Sequence, residues 1–169
     1  MNFEIYIRPL IINDAKTSYK WRNNPEVWTY TGGRPDKFIT EGIELEWIAK
    51  AIQRTGEYRF AICLKDNDQY IGNIQLTDIT SSDAQYHIFI GETEFWGKGI
   101  AKRATNLILD YAFNHLDLNR VYLEVNPLHQ AAIIVYEKSG FVKYEGTTVN
   151  DFLKMAIRKE AYETINCLT

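Results

Sequence analysis

A glycine turn with the sequence Trp96-Gly97-Lys98-Gly99-Ile100-Ala101 separates a strand-like segment from the strongest amphipathic pattern in the chain. Glycines allow a tight turn whose backbone N–H groups point outward, and the helix that follows carries about half a positive charge at its N-terminus. This combination binds phosphate or pyrophosphate without needing a cluster of arginines. The same glycines could equally make a plain strand-to-helix connection, so the turn alone leaves both interpretations open.

The residues around the turn narrow what it could bind. Lys98, Lys102 and Arg103 lie in the turn and the first helical turn, where they oppose the helix dipole but attract an anion. A dinucleotide fingerprint requires a small residue where Lys102 stands, and a P-loop requires G-x-x-x-x-G-K-[ST], which this chain lacks. Both common motifs are therefore excluded.

One carboxylate interrupts the apolar, strand-like segment at residues 121–125. Strand alternation places Glu124 on the same face as Tyr122 and Asn126. We expect this parallel strand to be buried on both faces, so that burial raises the pKa of Glu124 and makes it a general base. An ion pair with a lysine or arginine at the end of the sheet is the alternative.

The turn and a second motif, Tyr136-Glu137-Lys138-Ser139-Gly140-Phe141, together resemble the GNAT superfamily of acetyl-CoA-dependent N-acetyltransferases. The pattern is most similar to the branches that act on ribosomal-protein N-termini, nucleotide-linked amino sugars and polyamines. Two positions depart from the usual pattern, because Trp96 stands where Arg or Gln is common and His129 where Asn is common. In this superfamily the segment after the first strand walls the acceptor site.

The resemblance implies a role for each candidate residue. Tyr136 would hydrogen-bond or protonate the departing thiolate, Glu124 would activate the amine directly or through water, and a backbone N–H near Ile90 would stabilise the oxyanion. The strand before the turn would separate from its neighbour to admit the pantetheine arm of acetyl-CoA. The implied cofactor-binding residues are Phe89, Ile90, Gly91, Trp96, Gly97, Lys98, Gly99, Ile100, Ala101, Lys102, His129, Ala132 and Lys138. The candidate substrate residues are Trp28, Tyr30, Asn126 and His87, with a structural role as the alternative for His87 and for the aromatic residues.

The elements that position these residues are predicted in the order β α α β β β α β α β β. Alternation predicts strands at residues 4–10, 59–64, 70–76, 85–90, 121–125, 141–144 and 152–158. Helical periodicity predicts helices from a cap at Asn13 or Asp14 to Trp21, at 40–52, at 100–112 and at 130–138. The strand-helix-strand crossover at 85–126 should be parallel and the hairpins before it antiparallel. We therefore predict an α/β (α+β) fold, a single N-acetyltransferase domain over residues 1–169 with a mixed, mostly antiparallel sheet flanked by helices.

Composition limits the classes of partner. The 169 residues carry 19 Lys and Arg against 22 Asp and Glu, and this acidic balance argues against nucleic acid. No apolar stretch reaches the roughly 18 residues of a membrane span, so we expect a cytoplasmic protein without a membrane partner. Cys63 and Cys167 could form one disulfide, but no Cys/His cluster predicts a metal site.

Two functions remain open from the sequence. The first is transfer of an acetyl group from acetyl-CoA to a primary amine, by direct attack in a ternary complex without metal. The second is a catalytically silent coenzyme A-binding sensor or interaction module, which the departures at Trp96 and His129 favour. A peptide N-terminus, a polyamine, an amino sugar and an aminoglycoside are all candidate acceptors. Members of the superfamily often dimerise, so a homodimer is a further expectation.

Overall fold

The computed structural model describes residues 3–147 and 151–167. Its strands form one seven-stranded sheet in the order β1-β2-β3-β4-β5-β7-β6. The strands are β1 Ile5–Pro9, β2 Tyr58–Leu64, β3 Tyr70–Thr77, β4 Asp83–Ile90, β5 Arg120–Val125, β6 Val142–Thr147 and β7 Leu153–Arg158. Strands β4 and β5 run parallel, and the other neighbouring pairs run antiparallel. The predicted mixed, mostly antiparallel sheet is confirmed.

Five α-helices in the described part of the chain flank the sheet. They are α1 Ala15–Arg22, α2 Glu41–Ala51, α3 Ile100–Asp110, α4 Gln130–Lys138 and α5 Lys159–Cys167. The predicted element order is incomplete because it ends at the last strand and omits α5. No residue of α5 is buried, although its Tyr162 packs against the main core cluster. The helix follows β7 without an intervening turn, so no turn residue in the sequence marks where it begins.

The two faces of the sheet bury different helices, because successive side chains of a strand point to opposite faces. On β2, Ile62 belongs to the large core cluster that includes residues of α3 and α4. Its neighbours Ala61 and Cys63 belong to the smaller cluster with Trp21 of α1 and Ile48 of α2. Helices α1 and α2 therefore cover one face, and α3 and α4 cover the other.

A buried carboxylate joins α1 to α2. Glu44 accepts a hydrogen bond from the Ser18 hydroxyl at 2.8 Å and an ion-paired one from Arg22 Nε at 3.1 Å. Helix α2 begins at Thr40, whose hydroxyl accepts from the N–H of Ile43. These contacts fix the two ends of the long connection between the helices.

Strands β4 and β5 separate after three residue pairs, the last of which is Gln85 with Tyr122. Beyond this point β4 continues along β3 as far as Ile90, and β5 continues along β7 as far as Val125. A gap therefore opens between the carboxyl ends of two neighbouring strands. The strand separation expected from the family resemblance is confirmed.

Two expectations from the composition can be compared with the described residues. No helix in residues 3–147 and 151–167 is long and apolar enough to cross a membrane. Cys63 is buried in β2 and Cys167 is exposed at the end of α5, and both are free thiols. The disulfide considered from the sequence is therefore not formed.

Candidate active site

A cavity of about 840 Å³ lies in the gap between β4 and β5. It has the size of a small-molecule site and gathers residues from β4, the glycine turn, β5, α4 and the loop after α1. The predicted residues that line it are Tyr136, Glu124, Phe89, Ile90, Trp96, Gly97, Gly99, Ile100, Ala101, His129, Ala132, Tyr30, Asn126 and His87. The predicted residues outside its lining are Gly91, Lys98, Lys102, Lys138 and Trp28.

The backbone of β4 offers hydrogen-bonding groups to this gap. The N–H of Gly91 donates to the carbonyl of Ile71 at 2.8 Å, so it is directed towards β3. In an antiparallel ladder alternate residues bond to the neighbour, and Phe89 therefore also faces β3. The same alternation directs the backbone groups of Ile88 and Ile90 into the gap. Of the three backbone partners predicted for pantetheine, one, Ile90, is directed to the cavity.

Trp96 holds the carbonyl at the end of β4. Its indole Nε1 donates to the carbonyl oxygen of Ile90 at 2.8 Å, while 43% of the side chain stays exposed. A carbonyl oxygen has two lone pairs, so that of Ile90 can accept a second hydrogen bond. The side chain that departs from the family pattern therefore orients one backbone group of the cavity wall.

Gly91 packs against helix α1. A Cβ atom at this position would lie 2.0 Å from Cδ2 of Trp21, so no larger residue fits without movement. The indole Nε1 of Trp21 also donates to the Glu92 carboxylate at 3.0 Å. The absence of a side chain at Gly91 thus allows α1 to pack against the end of β4. The pattern of the glycine turn does not indicate this packing.

The glycine turn has the conformation that an anion site needs. Gly97 and Gly99 have φ values of 71° and 75°, in the left-handed region that favours glycine. Gly99 is the N-cap of α3, whose first N–H groups lack partners within the helix. Lys98 and Lys102 are exposed beside the turn. These features fit the pyrophosphate of coenzyme A.

Tyr136 reaches the cavity from α4 and is held by aromatic neighbours. Its ring lies 5.9 Å from those of Tyr86 and Phe141, and 9% of the residue is exposed. The hydroxyl groups of Tyr86 and Thr105 are hydrogen-bonded at 2.7 Å, which fixes the ring beneath Tyr136. Burial raises the pKa of Tyr136 to about 12, so its phenol is a neutral donor at physiological pH.

Glu124 lies on the predicted face of β5, but the expectation that it is buried is wrong. The side chain is exposed and lines the cavity. The reason is that β4 has already separated from β5 at this level of the sheet. On the other side of β5, Lys154 of β7 stands opposite Glu124. The carboxylate is therefore accessible to a ligand.

The remaining candidate side chains differ in the hydrogen bonds that they make to the rest of the protein. His87 Nε2 lies 3.1 Å from the Thr77 hydroxyl, and burial together with the charge of Arg59 lowers the pKa of His87. Asn126 accepts from the N–H of Leu128 at 2.9 Å, which shapes the turn before α4. Trp28 donates to the backbone carbonyls of residues 21 and 22, so its side chain anchors the loop to α1 and does not line the cavity.

Sequence reasoning missed part of the cavity wall. The lining residues it did not identify include Glu26, Thr29, Thr31, Gln85 and Phe152. Three of them come from the loop after α1, Gln85 lies on β4, and Phe152 directly precedes β7. Tertiary packing brings these segments to the gap. The family resemblance placed the segment after the first strand at the acceptor site, but no local pattern indicated which of its side chains would line the cavity.

Comparison with known proteins decides the family. Residues 4–142 match the model of the acetyltransferase (GNAT) domain. A spermidine N(1)-acetyltransferase of Vibrio cholerae is 32% identical over 155 residues, which cover 90% of this chain and 86% of that protein. The chain belongs to the GNAT acetyltransferase family. The spermidine N(1)-acetyltransferase of Escherichia coli K12 is 31% identical, over 88% of this chain and 77% of that protein.

A GNAT structure with bound ligands supports the same assignment. The crystal structure of a spermidine N-acetyltransferase from Vibrio cholerae, in complex with CoA and spermine, gives a TM-score of 0.84 at 28% identity. The match covers 94% of this chain and 98% of that one. This GNAT chain is an enzyme that transfers an acetyl group from acetyl-CoA to a primary amine. The silent coenzyme A-binding module is thereby set aside. Within residues 3–147 and 151–167, no group of three or more His, Cys, Asp or Glu side chains could hold a metal ion.

Proposed function

We propose that the acceptor is a flexible, positively charged primary amine of the polyamine class. The observation that carries this proposal is the charge of the cavity wall. Among the described residues that line it, Glu26 and Glu124 are acidic and none is lysine or arginine. A cleft lined by one sign of charge concentrates ligands of the opposite sign. A nucleotide-linked amino sugar would bring its own diphosphate, which the carboxylates of Glu26 and Glu124 would repel. The spermidine acetyltransferases among the relatives support the same class.

Glu124 is the proposed base, acting through water or directly on the amine. An alkyl ammonium with a pKa of about 10.4 is neutral in about 1 molecule in 2,500 at pH 7, so freeing it costs about 4.6 kcal/mol. An exposed carboxylate in the cavity attracts the ammonium and can accept its proton through a bridging water. Because the side chain is accessible, the proposed role rests on its position in the cavity and not on the burial expected from the sequence.

Tyr136 is the proposed donor to the departing thiolate, and reaction is by direct attack in a ternary complex. When bound, acetyl-CoA supplies the thioester carbon that the amine attacks. The backbone groups of Ile88 and Ile90 are directed to hold the pantetheine amides, and one of their N–H groups can stabilise the oxyanion. The turn from Gly97 to the start of α3 would hold the pyrophosphate.

The proposal is tested by measuring thiol release from acetyl-CoA with a panel of amines. The panel contains spermidine, spermine and putrescine, a peptide with a free N-terminus, an amino sugar and an aminoglycoside. We expect kcat/KM for the best polyamine to exceed that of every other class by about tenfold or more. A peptide, amino sugar or aminoglycoside as the best acceptor would overturn the assignment. Glu124→Gln serves as the control for the role of the carboxylate.

Three broader expectations belong to the same proposal. We propose that residues 1–169 form one N-acetyltransferase domain, which the single sheet of the described strands supports. We also propose a cytoplasmic enzyme without a nucleic-acid partner. The homodimer expected from the family resemblance is tested by light scattering of the purified protein.

A further inference from the structure

The loop after α1 meets the connection between β5 and α4 through a pair of stacked rings. The rings of Tyr30 and His129 lie with their centroids 4.4 Å apart and their planes at 16°. Both residues line the cavity, although they come from segments far apart in the chain. Tyr30 is 39% exposed, whereas His129 is half-buried. The stack therefore joins the loop to the connection between β5 and α4.

The base of this loop is fixed by hydrogen bonds. The Asn23 side chain donates to the carbonyl of Ile39 at 2.7 Å and accepts from its N–H at 2.8 Å, which closes the loop at its two ends. Trp28 donates to the carbonyl of Trp21 at 3.1 Å. The residue after Tyr30 is also held within the loop, because the Thr31 hydroxyl donates to the carbonyl of Trp28 at 3.0 Å. The loop backbone is therefore fixed, and it presents the Tyr30 ring to His129.

His129 is held rigidly enough to support that ring. It is the N-cap of α4, and its carbonyl accepts from the N–H groups of Ala132 and Ile133, both at 3.1 Å. Its own N–H donates to the carbonyl of Asn126 at 2.9 Å. The backbone is thus fixed on both sides, and the imidazole orientation is set by the stack. Burial lowers the pKa of His129, so the stacked ring is neutral at physiological pH.

We propose that His129 is a positioning residue for the acceptor amine and does not hold the pantetheine arm. Through the stack it keeps Tyr30 over the gap and so closes the side of the cavity from which the amine enters. The phenol of Tyr30 covers one face of the imidazole, so the ring contact that the structure shows for His129 is with the loop after α1. This inference rests on the proposed function, because it requires an acceptor that enters beside the loop.

The experiment compares the two Michaelis constants in variants of the full chain, with spermidine as the amine. His129→Ala and Tyr30→Ala should each raise KM for spermidine by about 3- to 10-fold, the size expected when one aromatic pair is lost. Neither should change KM for acetyl-CoA by more than about twofold. His129→Phe and Tyr30→Phe keep a flat ring for stacking and should restore KM for spermidine. Because the two residues act together, the double alanine variant should be no worse than either single variant.

The opposite pattern overturns the proposal. If His129→Ala raises KM for acetyl-CoA and leaves KM for spermidine unchanged, His129 binds the cofactor, as the sequence implied. Additive effects in the double variant would show that the two rings act separately. If another amine proves to be the acceptor, the same comparison is made with that amine, so failure of the proposed function is seen separately. Calorimetry with CoA gives a readout without turnover, and a Kd unchanged by His129→Ala is the expected result.

Discussion

Replacing Tyr136 with phenylalanine removes a single hydroxyl group from the cavity and should lower kcat by about 100-fold. A phenol with a pKa of about 12 beside a thiol of about 8.5 would make complete proton transfer cost about 5 kcal/mol. Tyr136 therefore acts mainly by donating a hydrogen bond to the developing thiolate. Removing one such preorganised donor costs about 10²–10³ in kcat, and a donor that transfers no proton belongs at the lower end.

The assay is the initial rate of thiol release at saturating acetyl-CoA and amine. Phenylalanine keeps the ring contacts with Tyr86 and Phe141, so calorimetry should give a Kd for CoA within about twofold of the wild type. A loss smaller than about fivefold would show that the hydroxyl does not reach the reacting sulfur. The pH profile gives a second check. Because the raised pKa keeps Tyr136 protonated up to about pH 12, its ionisation should not reduce the wild-type rate near pH 9–10. A fall near pH 9 that the phenylalanine variant lacks would refute this reasoning.

Three further substitutions test other parts of the site. Gly91→Ala places a Cβ atom 2.0 Å from the Trp21 ring. Since such overpacking costs about 3 kcal/mol, the substitution should lower Tm by about 6 °C or more. An unchanged melting curve would contradict the close contact between Gly91 and Trp21. Trp96→Phe removes the donor to the Ile90 carbonyl and should weaken CoA binding severalfold by calorimetry while kcat stays constant; a change confined to kcat would contradict this role. Glu124→Gln should lower kcat/KM for spermidine by about 10²-fold at pH 7. The deficit should shrink as the pH rises, because each pH unit increases the neutral amine about tenfold, and a pH-independent deficit would argue against a base.

The features that the sequence predicted are those that depend on local periodicity. The glycine turn and the face of β5 that carries Glu124 follow from spacing along one segment. The exposure of Glu124 could not be predicted in this way, because it depends on where β4 leaves β5, and those strands come from distant parts of the chain. The predicted parallel crossover was correct. The site, however, depends on how few residues β4 and β5 pair, and the sequence did not indicate that number.

Contacts between loops were beyond the reach of the sequence for a similar reason. Tyr30 and His129 were both candidates, one for the acceptor and one for pantetheine, and nothing in their spacing indicated that they stack. Gly91 was assigned to the cofactor by resemblance, whereas its lack of a side chain is used by Trp21. In both cases the sequence identified the residue as a candidate for the site, but the residue that it contacts depends on tertiary packing.

The short ladder between β4 and β5 has a mechanical consequence. The sheet consists of two half-sheets, β1–β4 and β5 with β7 and β6, which share three residue pairs at one end of the gap. A ligand whose amides bond to the edges of both half-sheets would act as an additional strand and resist their separation. Since any ligand that binds the folded state stabilises it, the tightness of donor binding and the stiffness of the sheet would rise together. In each catalytic cycle the sheet would then become stiffer when acetyl-CoA binds and less stiff when CoA leaves.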